Sequence, residues 1–554
     1  MIVNCLLSTI RKLLGKKISL ENLEDSLFLL KAEIERIDGD EIEIEINPDR
    51  QDMLSAEGIV RALKAFLEIE PGPKLYRVKK SGEKVIVGRG LEKIRPYISC
   101  GIVKGVDINE DLLIDYMHLQ ESLTSTHGRN RRKASIGLYV NDDIQFPVHY
   151  KTELPKKIIF PPLGYTESMD GPTILDVHEK GPIYGPIISQ FKKWPLLIDD
   201  NDNTLSLPPV INSNTLGRLS TETSNIFVEV TGTHIPTVNQ ALNIMIAALA
   251  ERGGQIESVT TEYPDGTITE TPDMSYKKQI IRTSEVHKLL GLKLEDDEAV
   301  KCLHKMCYGA KVKSKGKVEV EIPPYRTDIL HPVDIIEDIA IGYGFDKIEP
   351  EMPSTHTAGK LLPLTRLKNK VRDLMIGIGF QEITSYIMNS PEIMNSKMRR
   401  NDQLVEVGNP KSRDYSILRN SLLPILVDFA SQNQHADYPQ RIFEVGNIVR
   451  PDLQAETRIS QIGSVAGLVI DNMVNITDLI TSLGFVLRNL GLDNKFELKR
   501  TNNPSFIEGR TAKIILNGKD YGIIGEISPE VLMNFNVIRP IVAFEMMLPR
   551  DMKW

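Results

Sequence analysis

Residues 323–348 read PPYRTDILHPVDIIEDIAIGYGFDKI, and the rest of the chain is best read outward from them. Pro332 suits the first position of a helix, where a missing N–H is harmless, and Gly342 and Gly344 let the chain turn out again. The spacing predicts a helix over about 332–341. On it Asp334, Glu337 and Asp338 stand at i, i+3 and i+4 and share one face, while Ile335, Ile336, Ile339 and Ala340 form the opposing apolar stripe. Asp328 lies on the lead-in and can swing toward the same face, whereas Asp346 falls beyond the stop. Carboxylates this close repel one another, and a hard divalent cation taking oxygen ligands, magnesium above all, would relieve that. The competing reading is a solvated acidic face, since acids near a helix N-terminus are stabilised by its dipole without a metal.

The same string closely resembles the signature of the phenylalanyl-tRNA synthetase beta-chain family, in its archaeal/eukaryotic form. The resemblance implies that Asp328, Asp334, Glu337 and Asp338 bind magnesium at the junction with that family's alpha chain.

At 554 residues the chain is too long for one core, and domains of about 100–200 residues suggest three to five units. A net charge of -8 excludes a molecule that binds polyanions over its whole surface, so nucleic acid must meet a local basic patch. Cys5, Cys100, Cys302 and Cys307 are too few and too scattered for a disulfide framework or a paired zinc site, and a reducing cytoplasm is the expected compartment. The longest apolar run, 241–250, is too short to span a bilayer, and no targeting segment is expected at the N-terminus. The sequence holds no GxxxxGK[ST], HExxH or GxSxG run and no ligand-spaced histidine cluster, which leaves phosphate chemistry to a partner.

Residues 1–75 read as a small α/β domain. Ser19 can cap a helix bearing Leu20, Leu23, Leu27, Leu30 and Ile34, residues 41–46 alternate Glu and Ile as a half-buried strand does, and a second helix is expected over about 55–67. The join INPDRQDMLSAEGIVRAL, from Ile46, also resembles the beta-chain family, although Asn47-Pro48-Asp49 alone is just a turn. Polar tracts around 71–83 and 264–272 read as linkers.

Between them, 84–263 reads as a Pro-rich α/β domain. Arg129, Arg131, Arg132 and Lys133 form a basic cluster that could meet phosphates, or simply a solvated loop. The segments HEKGPIYG, LPPVINS and FVEVTGT, starting at His178, Leu207 and Phe227, resemble the family's editing domain, which hydrolyses tyrosine wrongly attached to the tRNA for phenylalanine. Such a site must pair the tyrosine hydroxyl and hold a water against an ester, and Asn212, Ser213, Glu229, Thr231, Thr233 and His234 are the candidates. Each also suits an ordinary turn or strand-end role. The family commonly has Asp and Thr where this chain has His234 and Pro236, which puts editing by the usual residues in question.

Residues 278–350 read as helix, helix, hairpin and the acidic helix, which resembles a winged-helix-like module. Lys311, Lys313, Lys315 and Lys317 give the hairpin a basic edge, which suits nucleic acid or protection against strand pairing. From 352 to 554, a helix over about 364–378 and a strand over about 382–387 resemble motif 1 of class II aminoacyl-tRNA synthetases, and the runs from Ser416 and Arg441 resemble motif 2. No Gly-x-Gly-x-Glu-Arg run of the motif 3 type occurs, so Arg419 and Glu444 read as scaffold.

The expected fold class is therefore α+β and multidomain: an N-terminal α/β domain, an editing-type domain, a winged-helix-like module and a class II synthetase-like antiparallel-sheet domain lacking a working motif 3. The resemblance implies an assembly of two alpha and two beta chains. The alpha chain would use ATP to activate phenylalanine and charge its tRNA, and this chain would supply assembly, tRNA contacts and editing. It also implies no C-terminal anticodon-binding domain after Trp554 and no inserted oligonucleotide-binding module near the N-terminus. Two rival readings are a stand-alone nucleic-acid-binding or regulatory protein on a dead synthetase fold, and an autonomous magnesium-dependent hydrolase using the acidic helix.

Overall fold

Glu41–Ile46 is the strand that its alternation predicts: Ile42, Ile44 and Ile46 are buried and Glu41 and Glu45 face solvent. In the computed structural model, which describes residues 1–354, 357–492 and 495–549, it is the centre of an antiparallel sheet between Ile2–Leu6 and Ala32–Asp38. Three helices complete this part. Leu20–Leu29 is capped by Ser19, whose hydroxyl accepts from Asn22 N at 3.2 Å, and stops short of Ile34, which lies on the strand Ala32–Asp38 after Lys31 turns the chain at φ +65°; Ala56–Phe66 is capped by Ser55 as the first is by Ser19. The third, Leu7–Leu14, carries an Ile10/Leu14 apolar edge and is absent from the sequence reading.

The chain divides into two units, Met1–Glu351 and Met352–Trp554. The first continues into a ten-stranded mixed sheet ordered Ile211–Asn212, Thr204–Leu207, Trp194–Ile198, Val148–Glu153, Val78–Val87, Gln255–Glu262, Tyr97–Lys104, Ile226–Gly232, Ala134–Val140, with Ile268–Thr271 added beside Gln255–Glu262. The helix Ile235–Glu251 packs on its central strands. Both expected linkers prove to be partly sheet: Val78–Val87 and Ile268–Thr271 are strands. Their polar sequences are held by ladder bonds and by cross-strand ion pairs, Lys84 Nζ to Glu262 at 2.8 Å and Lys80 Nζ to Glu270 at 3.2 Å.

The unit ends in a three-stranded sheet, Lys277–Arg282, Lys317–Ile322 and Gly309–Ser314, with helices Thr283–Leu290, Asp296–Lys305 and Pro332–Tyr343. The first of these strands was not foreseen. The acidic helix runs two residues past its expected end. Gly342 is not a stop but a point of close approach, where a Cβ would lie 2.3 Å from the Cys302 carbonyl oxygen. Gly344, at φ +101°, ends the helix.

The second unit is built on a seven-stranded sheet ordered Gln381–Glu382, Gln440–Pro451, Ile459–Ile470, Ile541–Met547, Lys519–Ile527, Phe506–Leu516, Phe496–Arg500, antiparallel except at its first pair. Helices Pro363–Gly377 and Ile476–Asn489 pack into one core, and Leu423–Gln432 and Pro529–Asn534 into another on the opposite face. The strand expected over 382–387 is only two residues long, because beyond Ile383 the chain leaves the ladder and Ser385 turns to the side chains of Glu444 and Arg419. Residues 355, 356, 493, 494 and 550–554 of the expected last domain lie outside the described residues. Among the described residues no helix is long and apolar enough to cross a membrane.

Candidate functional site

His331 caps the acidic helix, and Asp334 completes the cap: its carboxylate accepts from the backbone amides of Leu330 at 2.8 Å and His331 at 2.7 Å. Glu337, half exposed, lies 2.8 Å from Lys31 Nζ. Asp338 is buried and accepts from the Tyr308 hydroxyl and from Arg326 Nη2, each at 2.6 Å. Arg326 also grips Asp328 at two points, 2.9 and 2.7 Å. Burial opposes ionisation of Asp328, and the Arg326 guanidinium outweighs it and holds the carboxyl below its usual range. The structure thus brings Asp328 and Asp338 together on a protein cation and gives Asp334 and Glu337 separate partners. Among the described residues no three His, Cys, Asp or Glu side chains converge as a metal-ligand group.

The same network reaches the first domain. Thr327 Oγ1 lies 3.3 Å from Gln51 Oε1, and the buried Arg50 and Asp52 pair at 2.9 Å. Arg61 stacks over the Tyr325 ring at 3.9 Å and donates to the Asp52 carbonyl at 3.0 Å. Two of the sequence strings that carry the family resemblance, those from Ile46 and Pro323, therefore meet in one buried charged cluster.

A cavity of about 690 Å³ opens in the ten-stranded part of this unit. Of the six editing candidates, Asn212 and Glu229 line it. Glu229 sits at the centre of the wholly buried strand Ile226–Gly232 and is 2% exposed. Its Oε2 lies 2.9 Å from the Tyr139 hydroxyl, which is also 2.9 Å from Ser206 Oγ and 3.4 Å from Asn212 Oδ1. Glu229 Oε1 is buried without a hydrogen-bond partner among the described residues. Burial pushes the Glu229 carboxyl up to about 7, against the opposing Tyr139 hydrogen bond and the charge of Arg95. The arrangement is a buried carboxyl with one free oxygen beside a cavity, suited to pairing a hydroxyl.

The other four candidates serve elsewhere. Ser213 Oγ accepts from Leu216 N at 3.2 Å, and Thr231 Oγ1 accepts from Arg95 Nε at 2.9 Å. Thr233 donates to the Arg132 carbonyl at 3.0 Å. His234 is the exposed N-cap of Ile235–Glu251, with Nδ1 2.9 Å from Thr237 Oγ1. The basic cluster also separates. Arg131 lines the cavity, stacked 4.0 Å over Tyr184, 2.8 Å from Glu121, and donating to the carbonyls of Pro209 and Val210. Arg129 and Arg132 point to solvent, and neither they nor Lys133 forms an ion pair among the described residues. Tyr139 and Arg95 are the residues that sequence reading missed. Arg95 is fully buried and bonded to Thr231, Ser135 and the Arg131 carbonyl, and burial lowers its guanidinium to about 10.

In the second unit Arg419 is spent. Its Nη1 lies 2.7 Å from Glu444 and 2.8 Å from Ser385 Oγ, and its Nε donates to the Asn447 carbonyl at 2.8 Å, with both charged side chains about 95% buried. Part of the hairpin edge of the first unit is paired as well: Glu319 lies 3.2 Å from Lys311 and 3.7 Å from Lys313, whereas Lys315 and Lys317 form no ion pair among the described residues.

Two parts of the chain match models of known families. Residues 280–345 match the tRNA synthetase B5 domain and residues 348–548 the phenylalanyl tRNA synthetase beta chain CLM domain. The chain is 40% identical to the phenylalanine–tRNA ligase beta subunit of Pyrococcus horikoshii over 98% of both chains. It is 38% identical to that of Methanosarcina barkeri over 94% of this chain and 93% of the relative. The solved N-terminal fragment of the phenylalanyl-tRNA synthetase beta subunit from P. horikoshii is 40% identical, with a TM-score of 0.60, and is matched over its whole length by 62% of this chain.

Proposed function

The chain belongs to the phenylalanine–tRNA ligase beta-subunit family, and from that premise we propose a division of labour within the ligase. The alpha chain activates phenylalanine with ATP and transfers it to tRNA; this chain supplies the frame, contacts tRNA and removes mischarged tyrosine. Two chains of each kind make the assembly, in the cytoplasm. The observation that carries the reading is the state of Arg419. An arginine that clamps ATP must be free to meet phosphate, and this one is consumed by Glu444, Ser385 and the Asn447 carbonyl. The class II synthetase-like sheet then acts as scaffold. Reconstitution tests this: with an alpha chain, folded Arg419→Met should charge phenylalanine onto tRNA at the unaltered rate per complex, and a hundredfold loss with the assembly intact would make Arg419 catalytic.

For editing, Glu229, Asn212 and Tyr139 form the polar end of the cavity, and the free Glu229 oxygen is the group that would receive the tyrosine hydroxyl. A site built to hydrogen-bond a hydroxyl rejects the analogue that lacks it, because the buried polar group is then left unpaired. Phenylalanyl-tRNA would be spared for that reason. His234 stands at a helix cap, and Thr231 and Ser213 hold the walls. Arg129, Arg132 and Lys133 are the proposed phosphate contacts.

The donor chemistry of Asp328, Asp334, Glu337 and Asp338 suits magnesium, yet in the chain by itself each is committed to a protein donor. The proposed metal is therefore an interface ion. Asp334 and the half-exposed Glu337 are the carboxylates best able to turn toward it once an alpha chain adds ligands. Bound there it would supply charge neutralisation between subunits.

A further inference from the structure

The sheet face that carries Leu423–Gln432 and Pro529–Asn534 is open over part of its width and floors a cavity of about 1050 Å³. Ser464 and Glu545 rise from the strands, and segments 399–403 and 501–504 form walls. Four cations line it. Two are neutralised, Lys513 by Asp520 at 2.7 Å and Arg399 by Glu530. The other two, Arg400 and Arg450, have no carboxylate within 4.0 Å among the described residues.

Arg400 is held in place by neutral groups. Its Nε donates to Ser505 Oγ at 3.0 Å and its Nη1 to Ser421 Oγ at 3.2 Å. Both hydroxyls pass their own protons on, Ser505 to the Met398 carbonyl and Ser421 to Glu545. The nearby acids are engaged elsewhere. Glu545 accepts from the amides of Leu422 at 2.8 Å and Leu423 at 3.3 Å at a helix start, and Asp402 accepts from Asn420 Nδ2 at 3.2 Å. Burial, and Arg450 beside it, lower the Arg400 guanidinium against the pull of Glu545 and Asp402. A positioned guanidinium next to a second one, both without a counter-ion, calls for an anion. A second observation points the same way: Asn420, 7% exposed, lines the cavity, and its Oδ1 has no partner among the described residues. That acceptor calls for a hydroxyl or amino donor.

We infer that this cavity binds a phosphorylated small molecule of about nucleotide size, its phosphate held between Arg400 and Arg450 and a hydroxyl or amino group meeting Asn420. Paired arginines favour phosphate because the planar fork offers two parallel donors to its oxygens. The inference is independent of the division of labour above, since a ligand here needs no chemistry from the sheet.

Titration calorimetry on the full chain alone, at fixed ionic strength, tests it with inorganic phosphate and AMP as probes. The expected result is saturable binding of one AMP per chain, at least tenfold tighter than phosphate, with Arg400→Gln and Arg450→Glu each weakening AMP at least tenfold. Arg450 is exposed, so its variant keeps the test open if Arg400→Gln does not fold. Absence of saturable binding by either probe, or AMP binding that Arg450→Glu leaves unchanged, overturns the inference.

Discussion

Arg326 Nη2 lies 2.6 Å from Asp338 Oδ2, and the same nitrogen lies 2.7 Å from Asp328 Oδ2. One guanidinium, fully enclosed, holds two of the four acids of the signature helix region. Removing it strands two carboxylates in a buried place, which is the expensive way to break an ion pair. Arg326→Leu is therefore expected to destabilise the first unit by roughly 3–5 kcal/mol. Urea denaturation checks this against Glu337→Ala, whose exposed pair with Lys31 should contribute at most about 1 kcal/mol.

Glu229 gives a pH-dependent signature. Its carboxyl, raised by burial to about 7, binds more protons in the folded chain than in the unfolded one between its ordinary value near 4.5 and about 7. Stability from this group therefore falls as pH rises through that window and levels off above it. Glu229→Gln, which keeps the shape without the charge, should gain relative stability from pH 5 to pH 8, by up to about 3 kcal/mol. Thermal melts of both proteins across that range should diverge with pH; parallel curves would place Glu229 in a wetter setting.

Tyrosine removal should follow the cavity and not the helix cap. Glu229→Ala and Asn212→Ala are expected to slow deacylation of tyrosyl-tRNA by ten- to a hundredfold, whereas His234→Ala leaves it within a factor of about three. Single-turnover hydrolysis of labelled tyrosyl-tRNA by the complex reads both. Loss of activity in His234→Ala alone would move the chemistry to the end of Ile226–Gly232.

Assembly should depend on magnesium through the outer acids. Glu337→Ala is expected to weaken association with an alpha chain at least tenfold in millimolar magnesium and to remove the metal dependence. Asp334→Ala adds the loss of a cap, about 1 kcal/mol of helix stability. Sedimentation over a magnesium series separates the two effects, and association indifferent to metal would leave the helix as a purely internal joint.

The acidic helix was legible because Pro332 and the three-and-four spacing of its acids act locally. Glu41–Ile46 was legible because strict alternation has no other reading. Val78–Val87 was not: its first seven residues, VKKSGEK, show no apolar alternation, and the acids that pair with its lysines, Glu262 and Glu270, arrive on strands from a distant part of the chain. The same separation hid much of the site. Glu229 was a candidate through the resemblance of FVEVTGT to the editing domain, but Tyr139 reads as core in ASIGLYV until folding sets its hydroxyl beside Glu229. Arg326 was passed over beside more conspicuous acids, although it is the cation that two of them meet.

The most direct measurement is phenylalanine-dependent exchange of pyrophosphate into ATP, run on the purified full chain alone and again with an alpha chain added. A chain whose Arg419 is locked to Glu444 should show no exchange above background alone, and exchange should appear on reconstitution. Robust exchange by the chain alone, in a preparation free of any second subunit, would contradict the account.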